Sequence, residues 1–447
     1  MVGVAGASGR GQLGAGSGGK SGAQAGAGAG KGGSSAAGGG GSAGAPSMAQ
    51  RPPELCTSPL TLLDTSHPTS VVGTGSADSC TEAALRTALA QAGVITFNCG
   101  ANVATIAITK TLMVSTSKDT TLDGNDKIVL DGGGTTQILR AAGSDFRKSD
   151  TVLTVQRLVM TRGNDMGSGF VARDGTKTCA WGYKSGGGGA IFTRDVNVHV
   201  WGVTFIDNHG PQLGPDVAGG AIYTTGVKHL IVASSTFRSN TAANGGAIGT
   251  LQSSTELYNT VFEQNIATGL LANFSNDTGC PTFNGDEQGG AGGLGGAFYA
   301  DGQEVGDTFC GVRMSDNSSG DLGGAVFRSA YWGLIDGSPK QSISWDQVTL
   351  ERNHSPKGGG GGGYLNNAAF TLKRSKFIGN DAGADDGGGL KLTGLTVYAD
   401  DVEFTSNTAK VGGAVALWGG GPDGAGTATN IRYSGNKPGD AVGDFPK

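Results

Sequence analysis

The chain has 447 residues, 85 of them glycine, and a formal net charge of −5. No basic stripe accompanies that balance, which argues against nucleic acid as a partner. No apolar run reaches the 18 residues of a membrane-spanning helix, so no transmembrane segment is expected.

Residues 1–50 hold 19 glycines and three charges, Arg10, Lys20 and Lys31. Without large apolar side chains such a segment cannot offset its ordering entropy, so it reads as a disordered Gly/Ala/Ser tether. Met1-Val-Gly-Val-Ala-Gly lacks the basic end and apolar core of a signal peptide, so the export signal is not visible here.

Residues 51–100 read as an N-terminal cap region. Ser79-Cys-Thr-Glu82 has capping-box spacing, with Ser79 as N-cap and Glu82 reaching back. Ala84, Leu85, Ala88 and Leu89 form one apolar face, Gly93 ends the helix, and Val94–Phe97 follows as a strand. A bare first coil of a solenoid would expose apolar core and an unpaired strand edge, which is what such a cap prevents.

The six cysteines, Cys56, Cys80, Cys99, Cys179, Cys280 and Cys310, form no C-x-x-C pair, and histidine is scarce. Disulfides in an oxidising compartment fit this pattern better than zinc. Cys80 and Cys99 are expected to pin the cap helix to its strand. Cys280 with Cys310 is a second candidate, which leaves Cys56 with Cys179 by elimination.

Residues 101–447 read as one solenoid. Between 103 and 164, Val103–Val114, Thr120–Leu130 and Thr151–Met160 are strand-like early rungs, broken at Asp123–Asp126 and Asp131–Gly134. From Gly188 a pattern of Gly-Gly-small-apolar followed by Phe-x-x-Asn returns eight times. Gly188–Ile191 leads to Phe205 and Asn208, Gly219–Ile222 to Phe237 and Asn240, and Gly245–Ile248 to Phe262 and Asn265. Gly295–Phe298 leads to Met314 and Asn317, and Gly323–Val326 to Leu350 and Asn353. Gly361–Tyr364 leads to Phe377 and Asn380, Gly387–Leu390 to Phe404 and Asn407, and Gly412–Val415 to Tyr433 and Asn436.

The intervening segments, such as Leu230–Ala233, alternate like strands and carry no 3.6-residue stripe. Short strands and turns without a helix predict an all-β fold, a single-stranded right-handed parallel β-helix. In it the Phe positions point inward and stack from rung to rung. The Asn positions take the turn in a left-handed conformation and bond into a ladder. The Gly pairs make a bend that a Cβ forbids.

These repeats resemble those of the chlamydial polymorphic outer-membrane proteins. Cys80–Cys99 followed by Thr120–Gly124 resembles the start of bacterial right-handed β-helix repeat proteins of pectin lyase-like architecture. The resemblance covers roughly residues 79–440. It implies a secreted or outer-membrane surface location in a bacterium and an adhesin-like role, with surface glycans or a neighbouring cell as partner. No stretch long enough for a translocator barrel is read after the last repeat, so none is expected here.

Parallel β-helices also carry polysaccharide lyases and hydrolases, so catalysis is weighed at the site. Asn208-His209-Gly210 matches a hydrolase motif only in part. Asp381, Asp385 and Asp386, with Asp400 and Asp401 nearby and Lys373, Arg374 and Lys376 before them, are the set a Ca²⁺-dependent lyase acting on acidic glycans would use. Asp-Asp-Gly is also ordinary turn chemistry, and the primary expectation is no cofactor and no catalytic residue. Trp181, Tyr331, Trp332 and Trp418 lie in or near loops, where an aromatic ring either packs against its neighbours, the commoner role, or stacks on sugar. Three insertions, after Asn208, after Asn265 and after Val326, mark the face where a ligand would sit.

Overall fold

The computed structural model describes residues 50–165, 186–214, 216–269, 292–302, 306–330, 342–421, 424 and 426–446, with the backbone alone at 170–171 and 178–179. The tether and the tryptophans Trp181 and Trp332 lie outside the described residues, as do Tyr331 and Cys280.

The chain coils into a parallel β-helix, with every pairing in its two long sheets parallel. Its hand is the right-handed one that parallel crossovers of L-residues take. One coil illustrates the rest. Ile222–Thr225 lies in one sheet, and His229–Ala233 and Thr236–Arg238 lie in the other, broken by a corner. The turns pass through Gly226, Ser234, Ser239 and Gly245, each with φ between 49° and 56°.

Register holds along the axis. Ile222 pairs with Ile248, Ile248 with Phe298 and Phe298 with Val326, while Phe237 pairs with Phe262 and Phe262 with Met314. The early rungs join the same stack, with breaks in register between Asp123 and Ile128 and between Asp131 and Thr136.

The motif residues fill the lumen. Phe205, Phe237 and Phe262 stack with ring centroids 4.6 and 4.8 Å apart, matching the spacing of neighbouring strands. Asn208, Asn240, Asn265, Asn317, Asn353, Asn380, Asn407 and Asn436 form a buried ladder. Each Nδ2 donates to the Oδ1 of the next at 2.9 to 3.0 Å. The left-handed turn is not made by these asparagines. It falls one residue earlier, on Asp207, Ser239, Gln264, Asp316, Arg352, Gly379, Ser406 and Gly435. The exposed position absorbs the turn, and the Asn stays free to point its amide inward.

Glycine is required at the third corner. At Gly219, φ is +68° and a Cβ would lie 1.9 Å from the Ile222 carbonyl oxygen. Among the six consecutive glycines 358–363 the register differs from the sequence reading. Gly363 pairs with Val326 and Tyr364 with Phe327, so the unit begins at Gly360 and Tyr364 faces outward. A run of glycine carries no side-chain pattern, so only pairing with both neighbouring coils selects the frame.

The cap also differs in detail. The helix spans Glu82–Gln91 with Thr81 as N-cap, whose side chain accepts from the Ala84 amide. Ser79 ends a short 3₁₀ turn, Ala77–Ser79, and its hydroxyl serves Thr74 and Ser76. Glu82 reaches forward to Thr109 and Lys110, so no capping box forms. Ala92, at φ 61°, ends the helix before Gly93 opens the strand. Leu85, Ala88 and Leu89 are buried and close the first coil.

Cys80 and Cys99 are joined, with Cα atoms 5.6 Å apart. The other bridge corrects the sequence reading. Cys310 pairs with Cys56, 254 residues away, and not with Cys280, which also removes the pairing of Cys56 with Cys179. The reason is the path of the first described residues. They run outside the solenoid along one row of corners, so Cys56 meets a coil far from it in sequence.

Candidate functional site

The repeat residues are spent on stacking and turning, so a site has to be sought on the outer surface. The sheet that follows each glycine corner presents two outward rows. In one, Phe192, Tyr223, Gly249, Tyr299, Phe327, Tyr364, Lys391 and Ala416 are register neighbours. These aromatics form a second core separate from the lumen, packed by Ala218 and Leu294, with Leu251 and Leu322 at its margin. Tyr299, Phe327 and Tyr364 stack at 5.6 and 5.4 Å. The insertions after Asn208 and Asn265 lead into this sheet, and the one after Val326 leaves it at Ala330.

The first insertion folds over the aromatic row. Tyr223 donates its hydroxyl to the Asp216 carbonyl at 2.6 Å, and the Tyr299 hydroxyl lies 3.1 Å from Asp216 Oδ1 and 3.3 Å from Asp301 Oδ2. Two carboxyls thus share one phenol. Asp301 is 5% exposed. Burial, then the neighbouring Asp216, pushes its pKa up to about 7. Burial raises that of Asp216 as well. Sequence reasoning missed these residues. The available signal was the aromatic directly after the repeat at Phe192, Tyr223, Tyr299 and Phe327, which alternation turns outward.

Farther along the same face lies a second cluster. Trp418 is 42% exposed, and its indole Nε1 donates to Asp386 Oδ2 at 2.6 Å. Lys391 Nζ lies 2.8 Å from Asp385 Oδ2 and 3.9 Å from Asp386 Oδ2, and reaches the Gly358 carbonyl at 3.4 Å. Burial and the adjoining Asp385 raise the pKa of Asp386. Burial opposes ionisation of Asp385 too, but hydrogen bonds from Asp386 and Lys391 outweigh it and lower its pKa.

The structure divides the aspartates grouped in the sequence. Asp385 and Asp386 meet at Lys391. Asp381 instead faces His354 and Thr408. Asp400 and Asp401 sit at a different corner, held by Thr429 and Asn430 and by Arg432 respectively. Of the three preceding cations, Arg374 pairs with Asp346 and Lys376 with Glu403. Among the described residues no group of three or more His, Cys, Asp or Glu side chains is arranged to hold a metal. His209 is held between Thr241 at 2.7 Å and Asp207 at 3.0 Å.

A third polar group lies inside. Arg328 Nε meets Asp307 Oδ2 at 2.9 Å across the lumen, with both side chains 1% exposed. Burial raises the Asp307 pKa against the pull of Arg328. Both side chains are turned into the lumen.

No protein family matches the chain, and no curated protein matches it. Among solved structures it is similar to PfbA, a surface adhesin of Streptococcus pneumoniae. The two are 12% identical, with a TM-score of 0.34, over 81% of this chain and 91% of that one.

Proposed function

We propose that this protein is an exported surface β-helix that holds a glycan on the outer face of the sheet bearing Trp418 and does not cleave it, an adhesin-like role. The observation that carries this reading is Trp418 itself. An indole left in solvent while Asp386 fixes its edge, with Lys391 bracing Asp386, is a rigid apolar plate rimmed by hydrogen-bonding groups. Sugar rings present an apolar face and a polar rim, which suits such a plate. Prior fixing of the ring lowers the ordering cost of binding. The two disulfides support an oxidising compartment. The resemblance of the repeats to polymorphic outer-membrane proteins supports a bacterial surface location.

The test is a glycan-array screen of the purified chain and of Trp418→Ala. Reducing-end and unsaturated-product assays on each bound glycan, with and without Ca²⁺, accompany it. Binding without product, lost in Trp418→Ala, is the expected result. Turnover of a bound glycan overturns the non-catalytic reading, and binding that survives Trp418→Ala overturns this location.

One observation favours a second reading, a polysaccharide hydrolase. Asp216 and Asp301 share the Tyr299 hydroxyl, and a carboxyl held protonated near neutral pH is the general acid of glycoside hydrolysis. Product formation abolished by Asp301→Asn would establish it.

A further inference from the structure

We propose that residues 51–65 form a tension-bearing clasp that routes load from the chain before Cys56 directly into the coil of Cys310, bypassing the cap helix and every coil between. The segment lies along the corner row between the two strands that each coil contributes to the larger sheet. Thr65 bonds Asp123, and Leu63 exchanges two hydrogen bonds with Gln156, both at 3.1 Å. Leu55 and Cys56 donate their amides to Asn259 Oδ1 at 2.8 and 2.9 Å, and Asn259 Nδ2 returns a bond to the Cys56 carbonyl at 2.7 Å. Gln347 reaches the Leu55 carbonyl at 3.2 Å. Arg51 doubles back to lie 4.8 Å over Trp201.

These contacts touch corners of successive coils, yet each hydrogen bond among them contributes about 0.5–1.5 kcal/mol net. The Cys56–Cys310 bond is the one covalent element in the segment. Without it, a pull on the N-terminal side would reach the end strand Ser70–Val72. Among the described residues that strand pairs only with Gly93–Phe97, so it would peel first and the coils behind it would follow one at a time. With the bond in place, the load enters the solenoid at Cys310, and everything from residue 57 to 309 lies in a closed covalent loop outside the force path. The inference does not depend on what the outer face binds.

The test is single-molecule force extension of the full chain held at its two ends, comparing wild type with Cys56→Ser. The bridged separation is 254 residues. At about 3.6 Å per extended residue, the variant should therefore gain roughly 80–90 nm of contour length. That length should appear at lower force than the C-terminal coils require. The wild type pulled before and after dithiothreitol gives a comparison without a variant, in which the Cys80–Cys99 bridge opens as well. Equal contour lengths with and without the bridge overturn the proposal. So does extra length released only at or above the force that unravels the C-terminal coils.

Discussion

Asn265 donates its side-chain amide to Asn317 at 2.9 Å, although 52 residues separate the two. Asn240 and Asn265, only 25 residues apart, bond at the same 2.9 Å. The ladder keeps the same spacing across both separations. In the ladder Asn265 also donates to the Phe237 carbonyl and accepts from the Asn240 backbone and side chain.

Asn265→Ala should therefore be costly. It strands buried donors on Asn240 and the acceptor on Phe237, at about 1–3 kcal/mol for each group left without a partner. The expected loss is on the order of 3 kcal/mol, read as a lower urea midpoint. Asn436→Ala, at the 9%-exposed end of the ladder, should cost about a third as much. Equal losses at the two positions would mean that the ladder does not act through buried amides.

The lumen pair predicts a different pattern. Asp307→Leu alone removes a carboxylate from the side of the buried Arg328 guanidinium, a loss of about 3–5 kcal/mol. Adding Arg328→Met should recover most of it, since two apolar side chains suit that interior. A thermal-melt comparison of wild type, single and double variants checks this, and an unrecovered double variant refutes it.

Asp301 sets a pH dependence whose sign follows from its raised pKa. Its ordinary value is 3.8 and its folded value about 7. Between these the folded state binds the proton more tightly than the unfolded chain does, so stability falls as pH rises and levels off above the folded value. Asp301→Asn removes this contribution. Its stability relative to wild type should therefore rise between about pH 4 and pH 7 and stay constant beyond. Parallel pH profiles for the two proteins would show that Asp301 ionises freely in the folded state.

Trp418→Ala separates a binding plate from a packing residue. A half-exposed ring outside both cores should change stability by less than about 1 kcal/mol. Glycan binding should nevertheless disappear. A large drop in melting temperature would instead identify Trp418 as part of the fold.

How much of this molecule is legible from its residues depends on whether the information is local. The period of the Gly-Gly and Phe-x-x-Asn units, the alternation between them and the absence of a helical stripe determine a parallel β-helix, because stacked like residues specify register many times over. Asp385, Asp386 and Trp418 are visible as polar and aromatic departures from the repeat. Their meeting with Lys391 is not, because it depends on which coil corner each occupies. Asp216, Tyr299 and Asp301 are invisible as a group for the same reason, with an insertion folding back to join them. The glycine run 358–363 has no side chains to set its frame, so the neighbouring coils choose it. The Cys56–Cys310 bridge depends on a segment that leaves the repeat and runs along the solenoid axis, where distance in sequence no longer measures distance in space.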